Sequence, residues 1–230
     1  MPSGGKLLMP GDFLGLADEI GMSDRLGDWV MRTACAQLAA WDRAGLPPIA
    51  MSVNVAPAQF SGPGFVDSVS RVLAASDLDP RRLELEILEQ TAVDRSQLTV
   101  QALARLREIG VQIALDDFGT GYSSLVYLTQ LPANILKLDR AFIRTLATDV
   151  RQAAMVGAII SLGKRLDMAI VAEGVEDDAQ RVLLGELGCD LMQGYLFSRP
   201  LPPKEFAALL LREEAGSDGG WHKASVAGQA

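Results

Sequence analysis

Histidine, cysteine and long apolar runs are scarce in this sequence, and each scarcity excludes a class of function. The single histidine, His222, lies near the C-terminus, which argues against a histidine-rich zinc site or a serine–histidine–aspartate triad. Cys35 and Cys189 lie far apart and form no CxxC pair, so we expect no disulfide framework and a reducing, cytoplasmic setting. No run reaches the ~18 apolar residues of a membrane span, and no signal-peptide pattern opens the chain.

The sequence also has fewer basic than acidic residues, which limits the partners that it can bind. The formal net charge is −8 and the sequence pI is about 4.7. Duplex nucleic acid requires a basic footprint, so we expect no such partner. A small anionic ligand held through a metal remains compatible with this charge. The 230 residues, 49% of them hydrophobic, are sufficient for one large core of α/β type.

Short apolar segments alternate with amphipathic segments along most of the chain, which predicts strand–helix units and a parallel sheet. The predicted strands are Ile49–Val55, Leu83–Leu88, Val111–Leu115, Ile135–Leu138, Met168–Ala172 and Leu191–Gln193. The predicted helices between and after them include Phe65–Ala75, Gln97–Ile109, Ser123–Thr129, Asp149–Leu166, Ala179–Leu187 and a last helix near Pro203–Leu211.

Two adjacent carboxylates, Asp116 and Asp117, follow the third predicted strand and precede a loop that contains Gly119 and Gly121. Neighbouring acids at the end of a buried strand repel each other and are costly to desolvate, and a divalent cation commonly relieves that cost. The alternative is that both acids simply face water in a strand-to-helix loop. This motif alone leaves the two interpretations open.

The remaining predicted strands also carry polar residues near their C-terminal ends, where the active site of an α/β barrel is built. The full set is Asn54, Glu86, Asp116 with Asp117, Lys137, Glu173 and Gln193. A set of unrelated surface residues is the alternative. Buried polar groups cost several kcal/mol each unless they are paired, which favours a common pocket.

The chemistry of this set is restricted to oxygen ligands and one amine. Carboxylate and amide oxygens suit Mg²⁺ or Mn²⁺, and the aspartate pair suits a bridge between two ions. Lys137 is expected to neutralise charge or to orient a nucleophilic water, and Glu173 to hold a metal or its water. Gln193, in a Gln-Gly-Tyr turn, is expected to hydrogen-bond a ligand. No serine or cysteine has a histidine base, so covalent catalysis has no candidate.

Taken together, the motifs resemble the EAL domains, the cyclic di-GMP phosphodiesterases of bacteria. The segments that carry the resemblance are Ser52-Val-Asn-Val-Ala56, Leu83-Glu-Leu-Glu-Ile-Leu-Glu89, Asp116-Asp-Phe-Gly-Thr-Gly-Tyr-Ser-Ser-Leu125, Leu136-Lys-Leu-Asp139, Val171-Ala-Glu-Gly-Val-Glu176 and Gly188-Cys-Asp-Leu-Met-Gln-Gly-Tyr-Leu-Phe-Ser-Arg-Pro200. The resemblance implies a (β/α)8 TIM-barrel-like fold of which about six of eight strands are present, the first two falling before Met1. It also implies hydrolysis of cyclic di-GMP to linear pGpG with two Mg²⁺ or Mn²⁺ ions.

The resemblance also assigns roles position by position. Metal ligands would be Asn54, Glu86, Asp116, Asp117 and Glu173, with Asp116 bridging the two ions. Lys137, Glu173 and Asp117 would serve catalysis, with Lys137 holding the attacking water, and Gln193 and Asp139 would lie beside the substrate. Glu89 would anchor the Asp-Phe-Gly-Thr-Gly-Tyr loop, which in the family is coupled to dimerisation; a plain solvated acid is the alternative.

Two departures from the family pattern keep the activity of this chain open. The Glu-Ala-Leu motif, whose glutamate binds metal and whose following arginine contacts phosphate, is absent, and its place would fall before Met1. Leu88 stands where threonine is usual. The chain is therefore either a phosphodiesterase or an impaired EAL domain that acts as a cyclic di-GMP receptor or a protein-interaction module. An enolase-like barrel with Lys137 as base is a third hypothesis.

The expected organisation follows from the same resemblance. Residues 1–212 would form the EAL domain without its first two strands, and residues 213–230 would form a disordered tail. A homodimer is expected as a possible assembly, and a sensor or GGDEF domain as a possible upstream partner in a longer parent protein.

Overall fold

The structure is a computed structural model and describes residues 8–61, 64–89, 97–119, 128–129, 131–215 and 226–227. Its strands are β1 Met51–Asn54, β2 Leu83–Leu88, β3 Gln112–Phe118, β4 Ile135–Leu138, β5 Ala169–Ala172, β6 Leu191–Met192 and β7 Val226–Ala227. Its helices are α1 Pro10–Glu19, α2 Ser23–Arg43, α3 Pro57–Ser61, α4 Phe65–Ser76, α5 Gln97–Ile109, α6 Arg140–Ile143, α7 Val150–Arg165, α8 Asp178–Glu186 and α9 Pro203–Ala215. A 3₁₀ turn at Pro80–Arg82 precedes β2.

Aspartate side chains begin two of the helices that follow strands, which is where the local sequence favours a helix start. The Asp149 carboxylate accepts a hydrogen bond from the backbone N–H of Arg151 at 2.8 Å and so caps α7. Asp177 and Gln180 form a reciprocal capping box at the start of α8. Each cap satisfies N–H groups that have no partner inside the helix, and so fixes where the helix begins.

All seven strands belong to one sheet, in the order β6-β5-β4-β3-β2-β1-β7, and every neighbouring pair is parallel. From β1 to β6, strands adjacent in the chain are also adjacent in the sheet. Parallel neighbours end at the same edge of a sheet, so this order brings the C-terminal ends of β1 to β6 together.

The two faces of the sheet differ in chemistry, as β2 shows. Leu83, Leu85 and Ile87 are at most 1% exposed and pack in the main core with residues of α2 and α5. Glu84 and Glu86 alternate with them and therefore point to the opposite face. We call that face the inner face. It carries a small apolar cluster of its own, Ala114, Ile135 and Val171.

Most predicted strands and helices agree closely with the observed ones, but the short helices α3 and α6 and the strand β7 were not predicted, and β3 differs at its end. The sequence predicts that this strand ends at Leu115, whereas it continues to Phe118. Backbone pairing explains the difference, because Asp116 pairs with Leu88 of β2 and Phe118 pairs with Leu138 of β4. Most of the predicted helix Ser123–Thr129 lies outside the described residues.

The C-terminal part of the chain contributes one further strand. α9 continues to Ala215, and β7 pairs in parallel with Met51 and Ser52 at the β1 edge of the sheet. The division of the chain at residue 212 stays a prediction. Within the described ranges, the helices are all too short or too polar to cross a bilayer.

A matched pair of leucine substitutions tests the location of the core. Leu85→Ala removes a side chain that is 0% exposed between the sheet and the helices, and should lower the free energy of unfolding by roughly 2–5 kcal/mol. Leu211→Ala removes a side chain that is 50% exposed on α9 and should change it by less than about 0.5 kcal/mol. Urea unfolding measures both; equal effects would contradict the assignment of the core.

Candidate active site

A single buried ammonium group lies among three carboxylates on the inner face. Lys137 Nζ is 2.6 Å from Glu86 Oε1, 2.6 Å from Glu173 Oε1 and 3.2 Å from Asp116 Oδ1. The Lys137 and Glu86 side chains are 4% and 3% exposed, so these charges interact with little screening from water. We refer to these four residues as the Lys137 cluster.

The order of strands in the sheet assembles this cluster. Glu86 lies on β2, Asp116 on β3 and Lys137 on β4, while Glu173 directly follows β5. Asn54, at the end of β1, pairs in register with Glu86 and is exposed. The residues that the sequence places at consecutive strand ends are thus brought together at one edge of the sheet.

A β-bulge brings Asp117 to the same site as Asp116. Simple alternation along a strand would point these neighbours to opposite faces. The pairing of β3 with β4 shifts register between Leu115 and Phe118, and Asp117 adopts a left-handed backbone with φ 54°. A non-glycine residue in this region is uncommon and strained. The Asp117 carboxyl consequently reaches the side chain of Asp139, which also caps α6 by accepting from Ala141 N at 2.9 Å.

Burial and mutual repulsion make the charged forms of the acids in this site energetically costly. Burial is the main cause that raises the pKa values of Glu86, Glu173 and Asp117, and repulsion from Asp116 adds to it. Burial alone would lower the pKa of Lys137, but the surrounding carboxylates outweigh it and raise that pKa above its ordinary value. Lys137 is therefore an ammonium ion at neutral pH.

A second polar layer lies on the inner face next to the Lys137 cluster, and our sequence analysis missed it. Glu84 is 4% exposed, and burial, followed by repulsion from Glu86, raises its pKa to about 7. Ser52 is 3% exposed and is the register partner of Glu84 on β1. The signal was present in the period-2 alternation of Leu83–Leu88, which places Glu84 on the same face as Glu86. The predicted set includes only Glu86 from this strand.

Gln193 is fixed beside the segment that carries Glu173. Its N–H donates to Ala172 O at 2.8 Å, and its carbonyl accepts from Val175 N at 3.0 Å. A Cβ atom on Gly194 would lie 2.1 Å from Val175 O, so only glycine permits this approach of the two backbones. The Gln-Gly-Tyr turn thus places Gln193 near Glu173, as expected for a shared site.

Glu89 contacts the start of the glycine-rich loop. Its Oε2 accepts a hydrogen bond from Gly119 N at 2.8 Å, and the residue is 4% exposed, so it is not a solvated surface acid. Gly119 has φ 93°, and a Cβ there would lie 2.5 Å from the Phe142 ring. The loop beyond Gly119 and its predicted coupling to dimerisation lie outside the described residues. Leu88, in the place of the usual threonine, is 41% exposed beside Asp116.

The donor set fits hard divalent cations, although three of its acids surround the Lys137 ammonium in this structure. Among the residues that the structure describes, no three ligand-type side chains form a ready metal cluster. Three carboxylates face one ammonium in the Lys137 cluster, which leaves an excess of negative charge, and Asp117 adds to it. Oxygen donors with unbalanced negative charge are what Mg²⁺ and Mn²⁺ bind.

Comparison with known proteins identifies the family. A model of the EAL domain matches residues 2–200. This chain belongs to the EAL domain family. MucR of Pseudomonas aeruginosa, a bifunctional diguanylate cyclase/cyclic di-GMP phosphodiesterase, is 45% identical over 202 residues, which are 88% of this chain and 30% of MucR. NbdA of the same organism, a cyclic di-GMP phosphodiesterase, is 44% identical over 196 residues, which are 85% of this chain and 25% of NbdA.

Solved EAL structures share the fold. A complex of the MucR phosphodiesterase with cyclic di-GMP superposes with a TM-score of 0.83 at 45% identity, covering 90% of this chain and 83% of that one. The EAL domain of Mycobacterium smegmatis DcpA gives 0.79 at 38% identity, covering 83% and 86%. The expectation of an incomplete TIM-barrel-like EAL fold is confirmed. This chain spans less than a third of the length of the curated relatives MucR and NbdA.

The raised pKa of Glu84 predicts a pH-dependent effect of Glu84→Gln. Folding raises this pKa from 4.5 to about 7, so between these pH values the unfolded state loses the proton while the folded state keeps it. The wild type is therefore destabilised progressively as the pH rises from about 4.5 to about 7, and the effect levels off above that. At pH 5 the folded state is protonated and the unfolded state has only begun to favour the ionised form, so the penalty is still small. Glu84→Gln should therefore gain stability relative to wild type as the pH rises, with a slope of at most about 1.4 kcal/mol per pH unit.

Urea unfolding of wild type and Glu84→Gln at pH 5, 6, 7 and 8 measures this difference. Glu205→Gln, a matched change of an exposed glutamate on α9, is the control and should show no such slope. A constant difference between Glu84→Gln and wild type across this range would show that Glu84 does not titrate there.

Proposed function

We propose that this EAL domain hydrolyses one phosphodiester of cyclic di-GMP to give linear pGpG, with two Mg²⁺ or Mn²⁺ ions, in bacterial second-messenger signalling. The observation that carries the proposal is the Lys137 cluster at the C-terminal edge of the sheet, in a chain 45% identical to the MucR phosphodiesterase that was solved with cyclic di-GMP. We also propose a cytoplasmic setting, because Cys35 and Cys189 are both free cysteines in the structure.

Acidic and amide side chains at the strand ends would hold the ions. Asn54, Glu86 and Asp116 are proposed for one ion, and Asp116 with Asp117 for the second, supported by Glu173. When bound, such ions polarise a phosphoryl oxygen and lower the pKa of a water molecule. The bulge at Asp117 supports a bridging arrangement, because it directs two consecutive carboxylates to one site.

Lys137 is suited to hold an attacking water by donating a hydrogen bond to its oxygen. Its raised pKa keeps the side chain charged, so it supplies donors and positive charge at the site of a developing anionic transition state. The same charge argues against the enolase-like hypothesis, in which a lysine must lose its proton to act as a base. The geometry therefore favours phosphodiester hydrolysis.

Groups at the rim of the site are proposed to contact the substrate. Gln193 and Asp139 flank the ends of β6 and β4. Next to Gln193, Tyr195 is 56% exposed and the Arg199 guanidinium lies 4.5 Å from the centre of its ring. An exposed aromatic ring paired with a cation is suited to an anionic nucleotide, since it offers a stacking surface and positive charge.

A receptor or interaction module without turnover is the second candidate. It is favoured by Leu88, an exposed apolar residue that stands beside Asp116 where threonine is usual. A homodimer, and a sensor or GGDEF domain within a longer parent protein, belong to the same proposal for regulation. The matched region covers only 30% of MucR and 25% of NbdA, so most of each relative lies outside it and can hold such further domains.

Asp116→Asn tests hydrolysis directly. The change keeps the size of the side chain but removes the charge proposed to bridge two ions, so pGpG formation from cyclic di-GMP with Mn²⁺ should fall at least about a hundredfold. Chromatography of the nucleotides measures the rate. Asp178→Asn, the same change on the surface of α8, should retain the wild-type rate.

The two candidate functions give different results in this experiment. Turnover by wild type that is lost only in Asp116→Asn supports the phosphodiesterase. Saturable binding of cyclic di-GMP without turnover, measured by calorimetry, supports the receptor. If wild type neither binds nor hydrolyses cyclic di-GMP, both assignments are wrong for this chain.

A further inference from the structure

We propose that Ser52 is a positioning residue, whose hydroxyl holds the Glu86 carboxylate in place when the site binds divalent metal. The proposal rests on the proposed function, because it treats Glu86 as a metal ligand. It concerns a residue on the first strand of the sheet that contacts neither substrate nor metal and acts only through Glu86.

The position of Ser52 is set by strand register. Ser52 pairs with Glu84, two residues before Asn54 pairs with Glu86, so its side chain shares the inner face with both glutamates. Ser52 is 3% exposed, and its Oγ has no partner that meets hydrogen-bond geometry. It nevertheless lies near enough to the Glu84 and Glu86 carboxyls to lower the pKa of each. A buried hydroxyl without a full partner is costly and calls for a reason.

The charges around Glu86 supply that reason. Glu86 Oε1 is drawn to Lys137 Nζ at 2.6 Å, and Lys137 lies on β4, two strands away on one side of β2. Ser52 lies on β1, the strand on the other side. The hydroxyl is thus placed to donate a hydrogen bond that opposes the pull of the ammonium. A ligating carboxylate typically has such an outer partner, and its loss weakens metal binding.

A hydroxyl has one proton to donate, and two glutamates lie beside it. The Ser52 hydroxyl can therefore donate to Glu84 or to Glu86, but not to both. A divalent cation that orders the Glu86 carboxylate would favour the hydrogen bond to Glu86. Alanine at position 52 would leave the space almost unchanged while removing the donor. The expected defect is in metal affinity, and not in the chemical step once metal is bound.

Titration of free Mn²⁺ by its electron paramagnetic resonance signal tests the inference without relying on turnover. Ser52→Ala should raise the Kd for Mn²⁺ about tenfold or more relative to wild type. The kcat for cyclic di-GMP at saturating Mn²⁺ should stay within about twofold. Ser52→Thr, which keeps the hydroxyl, should bind Mn²⁺ more tightly than Ser52→Ala. Thermal unfolding verifies that each variant is folded.

Ser70→Ala is the matched control, because Ser70 Oγ donates to Val66 O at 2.8 Å within α4, on the helical layer. Its Kd for Mn²⁺ should equal that of wild type. An unchanged Kd in Ser52→Ala overturns the positioning role, while binding and hydrolysis by wild type keep the proposed function. Failure of wild type to bind Mn²⁺ overturns both. If Ser52→Ala is too unstable to titrate, Ser52→Cys, a weaker donor of similar size, takes its place under the same criteria.

Discussion

The contact of one buried ammonium with three carboxylates is the constraint on which this site depends. Glu86, Asp116 and Glu173 repel one another, and burial adds to the cost of their charges. Lys137 offsets that cost only because the strands bring its Nζ within 3.2 Å of all three. A shift of β4 by one residue would turn Lys137 to the helical face and leave the acids without compensation. The register of β4 therefore determines whether the charges of the acids are offset.

The bulge in β3 adds a second carboxylate where a regular strand allows one. Asp117 is held at φ 54° because its neighbours on both sides are fixed: Asp116 pairs with Leu88 before it, and Phe118 pairs with Leu138 after it. Strain of this kind persists where the surrounding structure determines it, and it concentrates at functional sites. The cost is consistent with a site that must direct two acids towards one bridged pair of ions.

Sequence patterns predict the strands and helices well, since each has a clear period and clear ends. Leu83–Leu88 and Ile135–Leu138 are bounded as expected. The continuation of β3 through Asp116 and Asp117 could not be predicted, because it depends on pairing with distant strands. The pairing of β7 with β1 is long-range in the same way. The positions of Ser52 and Glu84 could have been predicted, because alternation along the strands alone places them on the inner face.

The Lys137 cluster also separates the stability of the fold from its proposed chemistry. An ammonium from the chain itself offsets part of the electrostatic cost of the acids in the absence of a bound cation. A metal must then compete with Lys137 for Glu86, and affinity depends on whatever holds that carboxylate against the ammonium. Loss of one metal ligand in such a site weakens catalysis long before it unfolds the domain. An EAL domain can therefore lose turnover and remain folded, which is the physical basis on which a phosphodiesterase can become a receptor.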